Sequence, residues 1–292
     1  MLENVYRVGL DRYALDPGNC FLIDSKKNAL IESGTSIVVD GIIDDLHDLG
    51  IEELDYIAVT HIHMDHAGGA GFLLDEFPEA EVIVHESGVD YLNEPEPLKR
   101  SVKRATGDFF EYWGDIKPIP KDKMIPVSGG ERFDLGQSYA LEVVQTPGHA
   151  PHHVCYYESA SKSLAVGDSA GIYFPDSDEL VPTTPPPSFD LEEEMKVLEK
   201  MKKLDLNRLL YTHEGWSDKP KRMLERYMGR VDGWVSEIRD LRSGLKDEEV
   251  LNRIREKYLS SWAGMFGRKD FARYSLEMNT RGVLLYLDRL EK

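Results

Sequence analysis

The sequence predicts an α/β fold, and three patterns indicate it. The first is a set of short apolar, partly β-branched runs with the length of strands rather than helices, at residues 5–8, 20–24 and 28–32. The second is the alternation of later strand-like runs with helical stretches. Those later runs lie at residues 54–60, 82–84, 141–146, 164–166 and 208–212. The third is that a metal-capable side chain follows four of these runs, which predicts a cleft at the carboxyl ends of the strands.

The first elements are expected to be antiparallel strands, followed by helices and strands in alternation. A polar turn at residues 25–27 joins the second and third strands, and a helix at about residues 41–49 precedes the strand at 54–60. Residues 92–124 form an insertion with two prolines, a small basic cluster and an aromatic group at residues 109–113. We expect this insertion either to form an apolar wall over the site or to pack on the core as a pair of helices.

A proline-rich loop at residues 181–189 precedes the next helix. Its prolines make the loop stiff, and it either presents Phe189 near Asp168 or only connects to the amphipathic helix expected at residues 191–204. Asp190, with a glutamate three residues later, has the spacing of a capping box for that helix.

The end of the chain has a helical pattern. From residue 217 onward, apolar residues recur at spacings of three and four, which predicts three amphipathic helices. We therefore divide the chain into a catalytic domain at residues 1–216 and a C-terminal helical extension at residues 217–292 that packs on it. Such helices shape a substrate pocket, bind nucleic acid or form a homodimer contact, and the sequence leaves these alternatives open.

The most informative stretch is T-H-I-H-M-D-H-A-G-G at residues 60–69, directly after a predicted strand. His61 and His63 point the same way if the chain stays extended, while Asp65 and His66 stand where a tight turn opens a helix. Imidazole and carboxylate ligands suit zinc, and also iron or manganese, and the absence of a cysteine set indicates a catalytic rather than a structural site. The ligand candidates after the other three runs are His149, Asp168 and His213.

Together these residues resemble the metallo-β-lactamase-fold hydrolase superfamily, whose pattern is H-x-H-x-D-H, then a His after T-P-G, then G-D, then a late His. The resemblance covers about residues 1–216 and implies a four-layer αβ/βα sandwich that holds two metal ions. The implied ligands are His61, His63 and His149 for the first ion, Asp65, His66 and His213 for the second, and Asp168 as the bridge. The full set is most similar to that of the dinuclear glyoxalase II and lactonase enzymes, because the true β-lactamases have a cysteine where this chain has Asp168.

The resemblance also implies a mechanism. Two divalent cations, zinc with iron or manganese as alternatives, lower the pKa of a bridging water and polarise the scissile oxygen, so that the nucleophile is a metal-bridging hydroxide. Asp65 is expected to accept a proton from it. Tyr173, five residues past Asp168, is expected to donate to the oxyanion or leaving group, as a tyrosine near this position does in the lactonases; a packed loop tyrosine is the alternative. His153, four residues past His149, is expected to be buried and hydrogen-bonded rather than a ligand.

The charge distribution bears on the substrate. The chain has a net charge of −18, and residues 1–216 carry 18 Lys+Arg against 40 Asp+Glu, whereas the remaining residues carry 17 against 13. A strongly acidic catalytic domain repels a polyanion such as RNA or DNA at long range. Small, neutral or weakly charged substrates therefore fit better.

We accordingly expect a dinuclear metal-dependent hydrolase of a small ester, thioester or lactone, without a nucleic-acid or membrane partner. A metal-dependent phosphodiesterase or ribonuclease is the alternative that the helical tail keeps open, and an iron-dependent persulfide dioxygenase is a third. No apolar run approaches ~18 residues and the start lacks the pattern of a signal peptide, so we expect a cytoplasmic protein. Cys20 and Cys155 are too few for a disulfide framework and are expected to be buried thiols.

Overall fold

A computed structural model of the protein describes residues 4–9, 20–213 and 215–292. The described strands are β1 (Val5–Val8), β2 (Cys20–Ile23), β3 (Ala29–Ile31), β4 (Tyr56–Ala58), β5 (Glu81–His85), β6 (Met124–Val127), β7 (Arg132–Gly136), β8 (Tyr139–Gln145), β9 (Val154–Glu158), β10 (Ser163–Ala165), β11 (Ile172–Phe174), β12 (Glu179–Val181), β13 (Arg208–Tyr211) and β14 (Gly215–Ser217). The described α-helices are α1 (Val39–Asp48), α2 (Met64–Ala67), α3 (Ala70–Glu76), α4 (Val89–Asn93), α5 (Glu96–Thr106), α6 (Leu191–Met201), α7 (Pro220–Arg242), α8 (Asp247–Phe266) and α9 (Lys269–Leu290).

The strands form two six-stranded sheets and one small hairpin. The first sheet has the order β1-β2-β3-β4-β5-β6; it is antiparallel as far as β3 and parallel from β3 to β6. The second sheet has the order β14-β13-β10-β9-β8-β7, and within it only β10 and β13 are parallel. The pair β11 and β12 forms a separate antiparallel hairpin. Antiparallel strands followed by parallel ones are the order that the sequence predicts.

Apolar side chains fill three layers between and outside the sheets. The inner layer joins the two sheets and includes Ile31 of β3, Tyr156 of β9 and Leu210 of β13. The outer face of the first sheet packs against α1 and α3, and that of the second sheet packs against α6 to α9. Each sheet buries both faces, which a sheet achieves when a second sheet covers one side and helices cover the other. The fold is therefore the predicted four-layer αβ/βα sandwich.

The three predicted C-terminal helices are present as α7, α8 and α9. Their buried residues, among them Tyr227 and Trp262, belong to the same apolar cluster as the outer face of the second sheet. The division at residue 216 stays a prediction, and β14 crosses that position. The described helices include none that is long and apolar enough to cross a bilayer. Residues 1–3, part of the start that lacks a signal-peptide pattern, lie outside the described residues.

The start of α6 and the two cysteines are as the sequence predicts. The helix predicted at residues 191–204 is α6, and the Asp190 side chain accepts a hydrogen bond from the backbone N–H of Glu193 at 3.1 Å, as an N-cap does. Cys20 and Cys155 are both buried and unpaired with each other, as predicted. Burial raises the pKa of Cys155 to about 12, so this thiol stays protonated and unreactive.

Candidate metal centre

The seven predicted ligands lie where strands end. His61 and His63 follow β4, and Asp65 and His66 lie in the short helix α2. The other three come from the second sheet: His149 after β8, Asp168 after β10 and His213 after β13. The structure brings these seven residues together in two groups and a third set that overlaps both, and in each the ligand atoms lie within 4.8 Å of one another. The first group is His61, His63 and His149, the second group is Asp65, His66 and His213, and the overlapping set is His61, His66 and Asp168. Their role as metal ligands stays a prediction that this convergence supports.

The first group contains three imidazoles. Nδ1 of His63 lies 2.8 Å from Nε2 of His61 and 3.2 Å from Nε2 of His149. Nδ1 of His61 lies 3.1 Å from the Thr60 hydroxyl, and Nδ1 of His149 lies 3.0 Å from the carbonyl oxygen of Thr183. Because a carbonyl only accepts, His149 donates from Nδ1 and keeps the lone pair of Nε2 for the site.

The second group combines Asp65, His66 and His213. Oδ2 of Asp65 lies 3.7 Å from Nε2 of His66 and 3.9 Å from Nε2 of His213. The side chain of Asp65 is 23% exposed, whereas His66 is fully buried. Asp65 is thus the carboxylate that solvent can reach, which fits its predicted exchange of a proton with water.

Asp168 lies between the two groups. One carboxylate oxygen, Oδ2, is 3.3 Å from Nε2 of His149, and the other, Oδ1, is 3.3 Å from Nε2 of His213 and 3.5 Å from Nε2 of His66. A single carboxylate therefore offers one oxygen to each group. This is the arrangement that the bridging role requires.

A buried glutamate supports the second group from behind. Oε1 of Glu32 lies 2.9 Å from Nδ1 of His66 and accepts from the hydroxyls of Thr60 at 2.6 Å and Thr212 at 3.0 Å, while Oε2 accepts from the backbone N–H of Thr60 at 3.1 Å. Glu32 has a φ of +69°, a left-handed conformation that is unusual for a residue with a side chain. A carboxylate behind an imidazole fixes its tautomer and orientation, so Nε2 of His66 faces the site.

The protonation states suit metal binding. Burial, and after it the neighbouring imidazoles, hold the pKa of His61 and of His63 well below the usual value, so both rings are neutral at neutral pH. Burial opposes the charge on Asp168, but His149 and His66 outweigh it and hold the pKa of this carboxyl well below its usual range. Metal ions bind neutral imidazole and ionised carboxylate, the states present here.

His66 differs from the other rings. Burial lowers its pKa, but Glu32, Asp65 and Asp168 outweigh burial and raise it to about 10. Nε2 of His66 and Oδ1 of Asp168 are both buried and lie 3.5 Å apart, but neither makes a well-aligned hydrogen bond within the described residues. Buried polar atoms without partners are costly, and a cation would satisfy both of these while displacing the proton from His66. The residues therefore fit a pair of divalent cations.

Two further predictions concern nearby residues. His153 is fully buried; its Nδ1 lies 2.8 Å from the Thr146 hydroxyl and its Nε2 accepts from the backbone N–H of Asp168 at 3.2 Å. His153 is thus hydrogen-bonded on both nitrogens, as expected for a residue that is not a ligand. Phe189 is fully buried and contacts Tyr286 of α9, so the proline-rich loop does not present it to a pocket.

The structure does not favour the predicted catalytic role of Tyr173. Its hydroxyl donates to Asp178 at 3.2 Å across the β11–β12 hairpin, and its ring contacts Tyr211, on the outer face of the second sheet. Leu180 is opposite Tyr173 in the hairpin, and Asp178 lies in the turn, where its carboxylate accepts from the phenol and also pairs with Arg226 of α7. The contacts match the alternative, a packed tyrosine.

The aromatic group of the insertion lies against α9. Phe109 stacks on Tyr274 with ring centroids 4.8 Å apart, and the guanidinium of Arg268 lies 5.2 Å from the ring centre of Tyr112. Burial raises the pKa of Tyr274, and the negative charge of Asp65 adds to this rise. The rings of Phe109 and Tyr112 from the insertion and Tyr274 from α9 contact one another, and we call this cluster the aromatic wall.

Sequence reasoning did not identify Glu32, Thr183 or Tyr274. Glu32 carries a signal that could have revealed it, because it is an acid at the end of an apolar strand, like the ligands themselves. Thr183 contributes a backbone carbonyl, which no side-chain pattern reveals. Tyr274 comes from a helix more than two hundred residues after the motif, and its contact with Phe109 depends on the packing of α9.

Sequence comparison identifies the family. The profile of the metallo-beta-lactamase superfamily matches residues 13–213, which is more than half of the chain. The protein belongs to this superfamily. Its membership confirms both the fold and the class of enzyme that the sequence predicts, a metal-dependent hydrolase.

Individual relatives are also metallo-beta-lactamase-fold proteins or metallo-hydrolases by name. The metallo-beta-lactamase fold-containing protein ST1585 of Sulfurisphaera tokodaii is 34% identical over 189 residues, which are 63% of this chain and 70% of that protein. Its crystal structure superposes with a TM-score of 0.72 at 27% identity and covers 96% of this chain and 98% of its own. The probable metallo-hydrolase MJ0888 of Methanocaldococcus jannaschii is 33% identical over 53% of this chain and 68% of its own.

A more distant relative has a named substrate class. The hydroxyacylglutathione hydrolase of Francisella philomiragia is 28% identical over 51% of this chain, and the matched region is 50% of that protein. The chain therefore spans about half the length of this relative.

Proposed function

We propose that this protein is a dinuclear metal-dependent hydrolase of a small ester, thioester or lactone. The observation that carries the proposal is the position of Asp168, which offers one oxygen to His149 in the first group and the other to His66 and His213 in the second. A bridging carboxylate between two sets of nitrogen and oxygen ligands is typical of two-metal hydrolytic sites. When bound, two divalent cations supply an activated water and polarise the oxygen of the scissile bond.

The residues of the chain have separate tasks in this proposal. His61, His63 and His149 hold one ion, and Asp65, His66 and His213 hold the other. Asp65, the most accessible carboxylate of the second group, accepts a proton from the attacking water and returns it to the leaving group. The aromatic wall, which includes Phe109 and Tyr274, contacts the apolar part of the substrate in this proposal.

Zinc fits this set of ligands best. Five imidazoles and two carboxylates provide mainly nitrogen donors, which zinc prefers, and iron or manganese also binds such a set. Each imidazole is neutral or becomes so on metal binding, so metal uptake releases a proton from His66 and is favoured by rising pH.

The acidic balance of residues 1–216 supports a small substrate of little negative charge. The C-terminal helices were the reason to consider a nucleic-acid substrate. They bury their apolar residues against the second sheet, so their amphipathic pattern is explained by packing within the protein. A thioester of glutathione would bring two carboxylates, which a basic cluster must match. Of the basic residues in the insertion, Lys99 is already paired with Glu96 and Asp115.

The test is metal content and turnover in the same samples. Elemental analysis of the purified protein is paired with a panel of a thioester, a lactone, an aryl ester and a bis-aryl phosphate. We expect two ions per chain and turnover of a carbonyl substrate that is abolished by a chelator and restored by zinc. Turnover of the bis-aryl phosphate alone would establish the phosphodiesterase instead, and a single iron with oxygen consumption would establish the dioxygenase.

A further inference from the structure

A buried segment links the metal centre to the C-terminal helices. We call residues 182–189, between β12 and α6, the strap. Thr184 is fully buried and Thr183 is 5% exposed, although both lie in a connection without regular secondary structure. A buried loop needs partners for its backbone groups, because it has no sheet or helix to supply them. The partners of these two threonines lie on opposite sides of the strap.

On one side, Thr183 contacts two of the proposed ligands. Its carbonyl oxygen accepts from Nδ1 of His149 at 3.0 Å, and its hydroxyl donates to the backbone carbonyl of Asp168 at 2.6 Å. The first bond sets which nitrogen of His149 faces the centre. The second holds the backbone of Asp168, the residue that joins the two groups. Thr183 therefore holds His149, which the second sheet contributes to the first group, and Asp168, which lies between the two groups.

On the other side, the strap is bound by two C-terminal helices. The Tyr227 hydroxyl, on α7, lies 3.2 Å from the Thr183 hydroxyl and accepts from the Thr183 N–H at 3.4 Å. Oδ1 of Asn279, on α9, accepts from the Thr184 N–H, and the Thr184 hydroxyl donates to the backbone carbonyl of Asn279 at 2.9 Å. The Trp234 indole, also on α7, donates to the Thr184 hydroxyl at 3.3 Å.

Close packing makes this contact sensitive to position. A Cβ atom at Gly282 of α9 would lie 1.9 Å from the carbonyl oxygen of Thr184, so the helix approaches the strap as closely as glycine permits. The guanidinium of Arg289, near the end of α9, donates to the carbonyl oxygens of Pro187 and Phe189. Helix α9 thus binds the strap at both ends.

We propose that the C-terminal helices hold His149 and Asp168 in their ligating positions through the strap, with Tyr227 and Asn279 as positioning residues. This proposal rests on the proposed function, since it requires His149 and Asp168 to bind metal. It assigns the helices a task in metal binding in addition to covering the second sheet. Outer partners of metal ligands usually change metal affinity by about 10- to 100-fold when they are removed.

The test uses full-length variants with a matched control. Asn279→Leu removes the acceptor for the Thr184 N–H. Asn279→Asp keeps that acceptor but loses the bonds that the amide nitrogen of Asn279 donates to Ser275. Thr280→Val is the control, because Thr280 is equally buried on α9 and its hydroxyl donates only within the helix, to the carbonyl of Leu276 at 2.7 Å. Tyr227→Phe removes a single hydroxyl and serves as a second variant if Asn279→Leu does not fold.

Three quantities are measured for each variant: the stability of the chelator-treated protein, the affinity for zinc by competition with a chelating dye, and the visible spectrum after cobalt substitution. We expect zinc affinity to fall about 10-fold or more in Asn279→Leu and Tyr227→Phe, with a changed cobalt spectrum. Asn279→Asp is expected to recover part of the affinity, because its carboxylate still accepts from the Thr184 N–H but faces the Ser275 carbonyl oxygen where the amide donated. Thr280→Val is expected to keep all of the affinity.

The outcomes separate the two proposals. If Asn279→Leu and Tyr227→Phe lose stability but bind zinc as the wild type does, the helices only stabilise the fold and this proposal is wrong while the proposed function stands. An equal loss of affinity in Thr280→Val would also refute it, because the effect would then be a general consequence of disturbing the core. Wild-type protein that takes up no metal would overturn the proposed function, and this proposal with it.

Discussion

Oδ2 of Asp168 lies 3.3 Å from Nε2 of His149, while its other oxygen faces the second group. Asparagine at this position keeps the size of the side chain but replaces one oxygen by an amide nitrogen, which cannot bind a cation. We expect Asp168→Asn to hold no more than one ion per chain and to lose more than ~100-fold in turnover, beyond the range for outer partners. Elemental analysis and steady-state kinetics check this, with the exposed Asp176→Asn as control. Two tightly bound ions in Asp168→Asn would contradict the bridging role.

Glu32 offers a test of the support behind His66. All present partners of the Glu32 carboxylate donate hydrogen bonds to it: Thr60, Thr212 and His66. An amide would replace one accepting oxygen by an NH₂ group, which cannot accept from these donors. We expect Glu32→Gln to weaken zinc binding by ~10- to 100-fold. Thr212→Ser keeps its hydroxyl and is the conservative control. Unchanged affinity in Glu32→Gln would show that His66 does not need this partner.

Tyr173→Phe tests the role predicted from the sequence. The hydroxyl donates to Asp178, so its removal should leave turnover within ~10-fold of the wild type, whereas a proton donor typically contributes ~10²- to 10⁴-fold. The measurement is kcat on whichever carbonyl substrate the panel identifies. A loss of a hundredfold or more, with the variant folded and fully loaded with metal, would restore the catalytic role.

The buried carboxyl of Glu194 should make the stability of the protein depend on pH. Burial raises the pKa of this carboxyl well above its usual value of 4.5, so the folded protein keeps a proton that the unfolded chain releases. The free energy of unfolding therefore falls as pH rises above about 4.5, by up to ~1.4 kcal/mol per pH unit. In metal-free protein, Glu194→Gln should lack this loss, so its stability relative to the wild type should increase between pH 5 and pH 8.

Urea unfolding at several pH values measures this difference. Glu192→Gln, on the exposed side of the same helix turn, is the control, and its free energy of unfolding should change with pH as that of the wild type does. A constant difference between Glu194→Gln and the wild type at all pH values would mean that Glu194 does not change protonation on unfolding.

Leu198 tests the cluster that joins α6 to the C-terminal helices. The side chain is fully buried, so Leu198→Ala leaves a cavity and should lower the free energy of unfolding by ~2–5 kcal/mol. Leu285→Ala, at an exposed position of α9, should lower the free energy of unfolding much less. Equal losses would show that the cluster is more tolerant than its burial indicates.

The convergence of the seven candidate ligands could be predicted from the sequence, because each lies within a few residues of an apolar run. A strand that ends in a short loop determines where His61 or His213 lies almost by itself, and the family pattern supplies the rest. The same local logic predicts α6, since its N-cap Asp190 and its apolar spacing are both visible in the chain.

Contacts between distant parts of the chain could not be predicted in this way. The bond between Thr184 and Asn279 joins residues 95 apart, and it depends on how α9 crosses the strap. Tyr173 shows the opposite difficulty, because its distance in sequence from Asp168 suggested a place in the site, but the β11–β12 hairpin turns it toward Asp178. Spacing alone does not show which way a short hairpin faces.

Glu32 also stores conformational strain. A side chain in the left-handed region costs roughly 1–2 kcal/mol, and only glycine avoids that cost. Here glycine would relax the backbone but remove the carboxylate behind His66, so the protein keeps an unfavourable conformation where its chemistry needs it. Protein engineering that raises heat stability by substituting glycine at left-handed positions would therefore have to leave Glu32 unchanged.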